Sequence, residues 1–241
     1  MINKNKKNKD LIIIIPARLN SKRLTKKLLR RICNVPMIIK VARAAEEMNF
    51  ADVLVATDSV QILNLCKENN FKTLLTPSSL KSGTDRVHAA YKILKKNYKL
   101  IINLQGDLPL FEKTMFDKVV NLFNDNKTDI GSAVCGLEKE EFKDTNVVKA
   151  KVKLNKKGEG FATDFCRKIK NIDGYYHHIG VYVYKPDVLE KFIKLQPTKN
   201  EEDLKLEQMR AIDNNMNIKV VRVENNPPSI DTLEDLQKIR L

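Results

Sequence analysis

The chain lacks the marks of several large protein classes. No run of about 20 apolar residues occurs anywhere in its 241 residues, which excludes a membrane-spanning helix. The opening MINKNKKNKD is basic, but the apolar run after it extends only from Leu11 to Ile15 and meets Pro16-Ala17-Arg18 at once. That is too short for the core of a secretory leader, so the cytoplasm is the expected compartment and no membrane partner is expected. The four cysteines, Cys33, Cys66, Cys135 and Cys166, form no C-x-x-C pair and show no Cys/His ligand spacing. Zinc is therefore not expected, and buried free thiols in a reducing compartment are. The loop after the first apolar run, PARLNSKRLTKKLL, contains no glycine. Both the G-x-G-x-x-G fingerprint and the P-loop are thereby ruled out.

A net charge of +14 raises the question of nucleic acid. Lys and Asn are abundant throughout, however, and beyond the first ten residues basic side chains mix with acidic ones, as in KENNFK and LEKEEFKD. No stripe of alternating aromatic and basic residues is present. Anionic small molecules are the expected partners, and nucleic acid is not.

Hydrophobic content of 42% and charged content of 31% describe a globular chain. Residues 1–10 predict a disordered basic tail, and residues 11–241 a single domain. LIIII, DVLVA, FKTLL, KLIINL and DIGSAV read as buried strands. Between them MIIKVARAAEEM, VQILNLCKEN, RVHAAYKILKK and TMFDKVVNLFN carry apolar residues at helical spacing. Such alternation predicts a three-layer α/β fold on a mostly parallel, Rossmann-like sheet. VVKAKVKLN instead alternates apolar and charged residues, as a half-exposed antiparallel strand does, and residues 145–185 are expected to form a small inserted antiparallel β-region. GVYVY and IKVVRV are further strands, EEDLKLEQMRAIDNN and LEDLQKIR further helices.

In parallel sheets ligands lie beyond the carboxyl ends of the strands, which directs attention to the loops there. With no glycine, the first loop could hold phosphates only through Arg18, Arg23, Lys26 and Lys27 and its backbone N–H groups; a solvated basic loop reads the same way. Asp58 of ATDS stands at a strand end, either facing a ligand or capping the next helix. In SGTDR, Gly83 permits close approach to a flat ligand and Ser82 and Thr84 offer hydroxyls, although capping alone explains the pattern too. NLQGDLP places Asp107 at a strand end beside the basic loop, which suits Mg2+, a hard ion that takes one or two carboxylates plus phosphate oxygens and water. In SIDTLEDL either Asp231 with Glu234 or Thr232 with Asp235 can form the helix cap, and only the second choice leaves Asp231 for a metal. His177 and His178 have no partners at ligand spacing.

Taken in order, IIPARLNSKRL, VATDS, SGTDR, NLQGD, NVVK, HHIGVYVY, LEQMR and IDTLEDL resemble the 3-deoxy-manno-octulosonate (Kdo) cytidylyltransferase family, from Leu11 to the C-terminus. The resemblance implies a nucleotidyltransferase sheet and the joining of Kdo to CMP from CTP, with release of diphosphate, for lipopolysaccharide synthesis. It places CTP on Ala17, Arg18, Arg23, Lys27 and Asp58, with the base near Ser82, Gly83 and Thr84. Asp107 and Asp231 match the family's Mg2+ ligands, and with Arg23 and Lys27, which would steady the departing diphosphate, they form the implied catalytic set. The sugar would meet Gln105, His178, Tyr182, Glu207, Gln208 and Arg210, and the inserted β-region would make a homodimer. Where the family loop reads R-L-P-G-K-P, this chain has Arg23-Leu24-Thr25-Lys26-Lys27-Leu28, and QGDEP has become QGDLP, with Leu108. The segment between Arg167 and His178 is shortened, which bears on sugar identity. The alternatives are a sialic-acid-like or 8-amino-Kdo substrate and a non-catalytic basic binding protein.

Overall fold

The structure, a computed structural model, describes residues 7–21 and 24–239. The chain divides into two compact units, the first made of residues 1–113 and 227–241, the second of residues 114–226.

The first unit opens with β1 (Asn8–Ala17), in which Ile12 to Ile15 are at most 2% exposed, as a strand covered on both faces requires. β1 begins before the apolar run: residues 8–10 of the expected tail are strand, because main-chain pairing needs no apolar side chain, and their side chains are exposed. Residues 1–6 of that tail lie outside the described residues. A small hairpin follows, β2 (Arg31–Ile32) against β3 (Val35–Pro36), turning through Cys33 and Asn34 at φ 48 and 64. Two successive positive φ values are what a two-residue hairpin loop needs. They put Cys33 in the open, correcting the expectation of uniformly buried thiols; Cys66 and Cys135 are buried, Cys166 is half-buried, and all four are free. Burial pushes the Cys66 thiol up to about 11 and Cys135 to about 12, so both stay protonated and inert.

Then come α1 (Met37–Glu47), β4 (Ala51–Thr57), α2 (Val60–Glu68), β5 (Thr73–Leu75), α3 (Gly83–Ile93) and β6 (Leu100–Leu104). The strands stand in the order β5-β4-β1-β6, every pair parallel. After β1 the sheet grows to one side through β4 and β5, then the chain returns to lay β6 on the other side of β1. The carboxyl ends of β1 and β6 thus flank the switch in strand order, where open α/β sheets bind ligands. Everything the first loop and NLQGDLP can do follows from that placement.

The second unit opens with α4 (Lys113–Asn121) and holds β7 (Ile130–Cys135), β8 (Lys149–Val152), β9 (Glu159–Cys166), β10 (Tyr175–Tyr184), α5 (Pro186–Lys194), α6 (Lys199–Leu204), α7 (Gln208–Asp213) and β11 (Ile218–Arg222). β7 pairs with β11 in parallel and with β10 antiparallel, β9 lies antiparallel between β11 and β8, and β8 also reaches the first residues of β10. Strands β8, β9 and β10 account for the expected antiparallel region. The chain then returns to the first unit with α8 (Leu233–Lys238). Among the described residues no helix is long and apolar enough to cross a membrane.

One expected helix is two. EEDLKLEQMRAIDNN breaks at Lys205, which sits at φ 54 between α6 and α7. There Leu206 N turns back to the Glu201 carbonyl at 3.2 Å, and Arg167 secures the end, its Nε and Nη2 donating to the carbonyls of Leu204 and Lys205, each at 3.0 Å. A continuing helix would give those carbonyls to its own amides four residues on. A second cation, this one buried, supports the same region, since Lys149 Nζ donates to the carbonyls of Asp144, Val147 and Arg167 at 2.6–2.8 Å. Neither arrangement has a local sequence signature.

Candidate active site

In the first unit the carboxylates of Asp107 and Asp231 converge on one ammonium. Lys27 Nζ donates to Asp107 Oδ2 at 2.5 Å and to Asp231 Oδ1 at 2.7 Å. The three residues come from segments 80 and 204 residues apart, and local chemistry brings each into place. Asp107 follows β6 in a turn in which the Leu108 N–H donates to the Gln105 carbonyl, and Leu108, where the resembled family has an acid, is buried in the core. The Asp107 carbonyl accepts from Ile230 N at 3.0 Å, tying this turn to the strand-like stretch before α8. At α8 the cap is Thr232 with Asp235: Thr232 Oγ accepts from Asp235 N, while Asp235 Oδ2 accepts from the N–H groups of Thr232 and Asp231. Burial alone would raise the Asp235 carboxyl, but these donors hold it below its ordinary value. The cap therefore does not consume the Asp231 side chain, which turns to Lys27.

Lys27 itself begins a single 3-10 turn, Lys27–Leu29. Leu28 packs so closely on Gly106 that a Cβ there would lie 3.2 Å from both its methyl carbons. Lys26, at the position where the resembled family carries glycine, adopts φ 51, ψ 39, the left-handed region that a side chain disfavours. The loop thus keeps the glycine conformation without the glycine. Lys26→Gly should raise stability by about 0.5–1 kcal/mol, after allowing for glycine's greater freedom in the unfolded chain. A rise of about 1–4 °C in thermal unfolding is expected; no rise, or a fall, would mean the loop bears no such strain.

The remaining expected nucleotide residues sit around the same loops. Ala17 ends β1, buried and paired with Thr57, and Arg18 follows it into solvent. Asp58 is not the cap of α2, a task performed by Ser59. Its Oδ1 accepts from Leu19 N at 2.9 Å, and its Oδ2 accepts from Arg86 Nη2 at 2.9 Å. Arg86, buried on α3, also donates to Thr76 Oγ1 at 2.5 Å. Burial pulls the Arg86 guanidinium below its ordinary pKa, Asp58 opposes this, and the neighbouring charge of Arg18 adds to it. Asp58 and Arg86 therefore clip the first loop to the loop after β4 and to α3. Reading SGTDR as a helix start passed over Arg86, whose partner lies 28 residues away. Ser82 and Asp85 form a reciprocal capping box, Gly83 is the first residue of α3, and Thr84 is buried with its hydroxyl accepting from Asn103 Nδ2 at 3.4 Å. Gln105 Nε2 donates to Asn103 Oδ1 at 3.0 Å. Arg23 lies outside the described residues.

In the second unit His178 and Tyr182 lie on β10, their rings 5.4 Å apart, on either side of a bulge between Ile179 and Tyr182. The single hydrogen of the Ser132 hydroxyl goes to the backbone carbonyl of Val181 at 2.7 Å or Ile179 at 3.3 Å, so its oxygen accepts from His178 Nε2 at 3.0 Å. That fixes Nε2 as the protonated nitrogen. Burial, with a smaller push from His177, drives His178 down to about 3, and the ring is neutral at any physiological pH. Burial and the charge of Glu207 raise Tyr182, keeping its phenol protonated. Glu207 stands at the start of α7, just past the break that Arg167 imposes, and Gln208 follows it, buried. Arg210 is buried too, its guanidinium clamped on both oxygens of Glu201 at 2.7 and 2.5 Å and lying over the Phe192 ring.

A family model described as cytidylyltransferase matches residues 12–218. The 3-deoxy-manno-octulosonate cytidylyltransferase of Rickettsia prowazekii (strain Madrid E) is 36% identical over 236 residues, covering 96% of this chain and 94% of that protein. Its counterpart in Rickettsia akari (strain Hartford) is 34% identical over 235 residues, with the same coverage. Among solved structures, a CMP:2-keto-3-deoxy-manno-octonic acid synthetase in complex with CTP superposes with a TM-score of 0.85 at 29% identity, covering 97% of both chains. A UDP-glucose pyrophosphorylase, at 14% identity and a TM-score of 0.67 over 95% of this chain and 96% of that one, shares the fold alone.

Proposed function

The chain belongs to the cytidylyltransferase family, with the 3-deoxy-manno-octulosonate cytidylyltransferases, and from that premise we propose that it joins Kdo to CMP, taking CTP as donor and releasing diphosphate. The observation that carries this reading is the meeting of Asp107 and Asp231 on one cation, at the carboxyl end of the parallel sheet. Two carboxylates that gather around one positive charge are hard donors suited to Mg2+. Among the described residues no group of three or more His, Cys, Asp and Glu side chains could hold a metal ion. Mg2+, which commonly takes only one or two protein carboxylates and completes its shell with phosphate oxygens and water, fits such a pair.

In this reading Asp107 and Asp231 hold Mg2+. When bound, the ion supplies charge neutralisation at the α-phosphate and eases ionisation of the sugar's anomeric hydroxyl. The chain's own residues do the positioning on which such transfers depend. Arg18, Arg23 and Lys27 bind the phosphates, the last two nearest the departing diphosphate, with Ala17 and Asp58 beside them at the ends of β1 and β4. Gly83, at the start of α3, lies against Pro16, and the base is assigned to this turn beside Ser82 and Thr84. Gln105 in the first unit, and His178, Tyr182, Glu207 and Gln208 in the second, are the residues proposed for the sugar, each unit taken by itself. His178 and Tyr182 act as neutral hydrogen-bonding groups, consistent with the burial that holds both uncharged. Arg210, committed to Glu201, serves by bracing α7. We extend the proposal to a cytoplasmic homodimer joined through β8–β10 and feeding lipopolysaccharide synthesis.

The test is diphosphate release from CTP with Kdo, 8-amino-Kdo and a sialic acid, with and without Mg2+. Kdo with Mg2+ should be the most active combination. Release with one of the other sugars and none with Kdo would transfer the assignment to that sugar; no release with any would favour a non-catalytic nucleotide-binding protein.

A further inference from the structure

The ammonium between Asp107 and Asp231 stands where a divalent ion held by both carboxylates would stand. We propose that Lys27 is an internal counter-ion that keeps this position until nucleotide arrives, so that the metal enters together with CTP and not before it. The inference rests on the metal role given above to the two carboxylates.

Three observations carry it. The first is geometric: Lys27 Nζ is 2.5 Å from one carboxylate and 2.7 Å from the other, so it uses the oxygens that an ion at about 2.1 Å would need. An ion bridging the same two oxygens would take the place of the ammonium, so metal binding there displaces the lysine. The second is burial. The Lys27 side chain is 10% exposed, and those of Asp107 and Asp231 are 26% and 20% exposed, so bulk water and salt screen this cluster little. The third is charge. A divalent ion brings one more positive charge to the two carboxylates than the ammonium it replaces, and it frees that ammonium. A freed Lys27, anchored on the turn that Leu28 pins to Gly106, would find its new anion in the phosphates of the nucleotide. Without CTP, a divalent ion must displace the lysine into water and gains only the difference between two cations. With CTP, the displaced ammonium finds phosphate oxygens, and both exchanges are favourable together. This is a coupling between metal and nucleotide with a named side chain as its carrier.

The test uses the full chain without nucleotide and Mn2+ as probe, with free Mn2+ read by electron paramagnetic resonance. Lys27→Met removes the competing cation. Lys27→Gln, which keeps a neutral donor between the carboxylates, guards against a variant that fails to fold. Both should bind Mn2+ roughly tenfold or more tightly than the wild type, and Asp107→Asn in either background should abolish the gain. Adding CTP should tighten Mn2+ binding much more in the wild type than in the Lys27 variants. If both variants bind Mn2+ no better than the wild type while Asp107→Asn still weakens binding, the counter-ion role is overturned and the carboxylate pair stands. If Asp107→Asn leaves Mn2+ binding unchanged in every background, the metal reading falls and takes this inference with it.

Discussion

Replacing Asp107 by Asn is expected to lower kcat by about a thousandfold, the equivalent of about 4 kcal/mol at 1.36 kcal/mol per decade. The magnitude follows from what a metal ligand contributes to a transition state in which charge builds on a phosphoryl group, which is several kcal/mol. The substitution keeps the shape of the side chain and removes one negative charge. Asp107 reaches the cluster from a turn, with its side chain about a quarter exposed, and the main-chain bonds that align the turn do not involve its carboxylate. Thermal unfolding should therefore move by less than about 3 °C. The diagnostic is the combination of a collapsed rate with an intact fold. Near-wild-type turnover in the presence of Mg2+ would remove Asp107 from the chemistry.

Arg86→Met should have the largest effect on stability. It leaves Asp58, whose side chain is 15% exposed, without its guanidinium partner, and Thr76 Oγ1 without its donor. Removing one member of a buried ion pair costs about 3–5 kcal/mol, because the charge left behind must be resolvated or neutralised. Asp58 keeps the Leu19 N–H, so the low end applies. About 3 kcal/mol corresponds to a fall of about 6–12 °C in Tm for a chain of this size. The loss also unclips the first loop, so KM for CTP should rise about tenfold with a smaller change in kcat, the pattern of weakened ground-state binding. Adding Asp58→Asn should restore part of the stability, because the stranded charge is gone, without restoring the KM. Equal and additive losses would show that the two side chains act independently.

Much of this was legible in the sequence because it depends on period and on strand ends. The isoleucine run, the short buried strands and the helices between them specify a parallel sheet, and the sheet specifies where Asp107 and the first loop emerge. Asp231 was legible only as one of two choices, since which acid caps α8 is decided by a side-chain geometry that spacing leaves open. The destination of Lys27 was not legible at all. The loop reads equally well as a solvated basic stretch, and both its partners come from distant segments. Arg86 and Arg167 escaped for the same reason: arginines held by distant groups announce themselves through partners, not through neighbours in sequence. The break at Lys205 is the clearest case, since helical periodicity continues through it while a left-handed backbone wrap and two carbonyls taken by Arg167 end the helix.

The loop substitutions also acquire a physical meaning. Leu28 packs on Gly106, Leu108 joins the core, and Lys26 takes a conformation that suits glycine, at some cost. All three lie in the two loops that carry Lys27 and Asp107.

The most direct measurement is a double-mutant cycle on kcat with Asp107→Asn and Asp231→Asn. Two ligands of one ion act as a unit, so either substitution alone should cost nearly as much as both together. If the two losses multiply, or if Asp231→Asn turns over at the wild-type rate, the carboxylates do not serve a single ion.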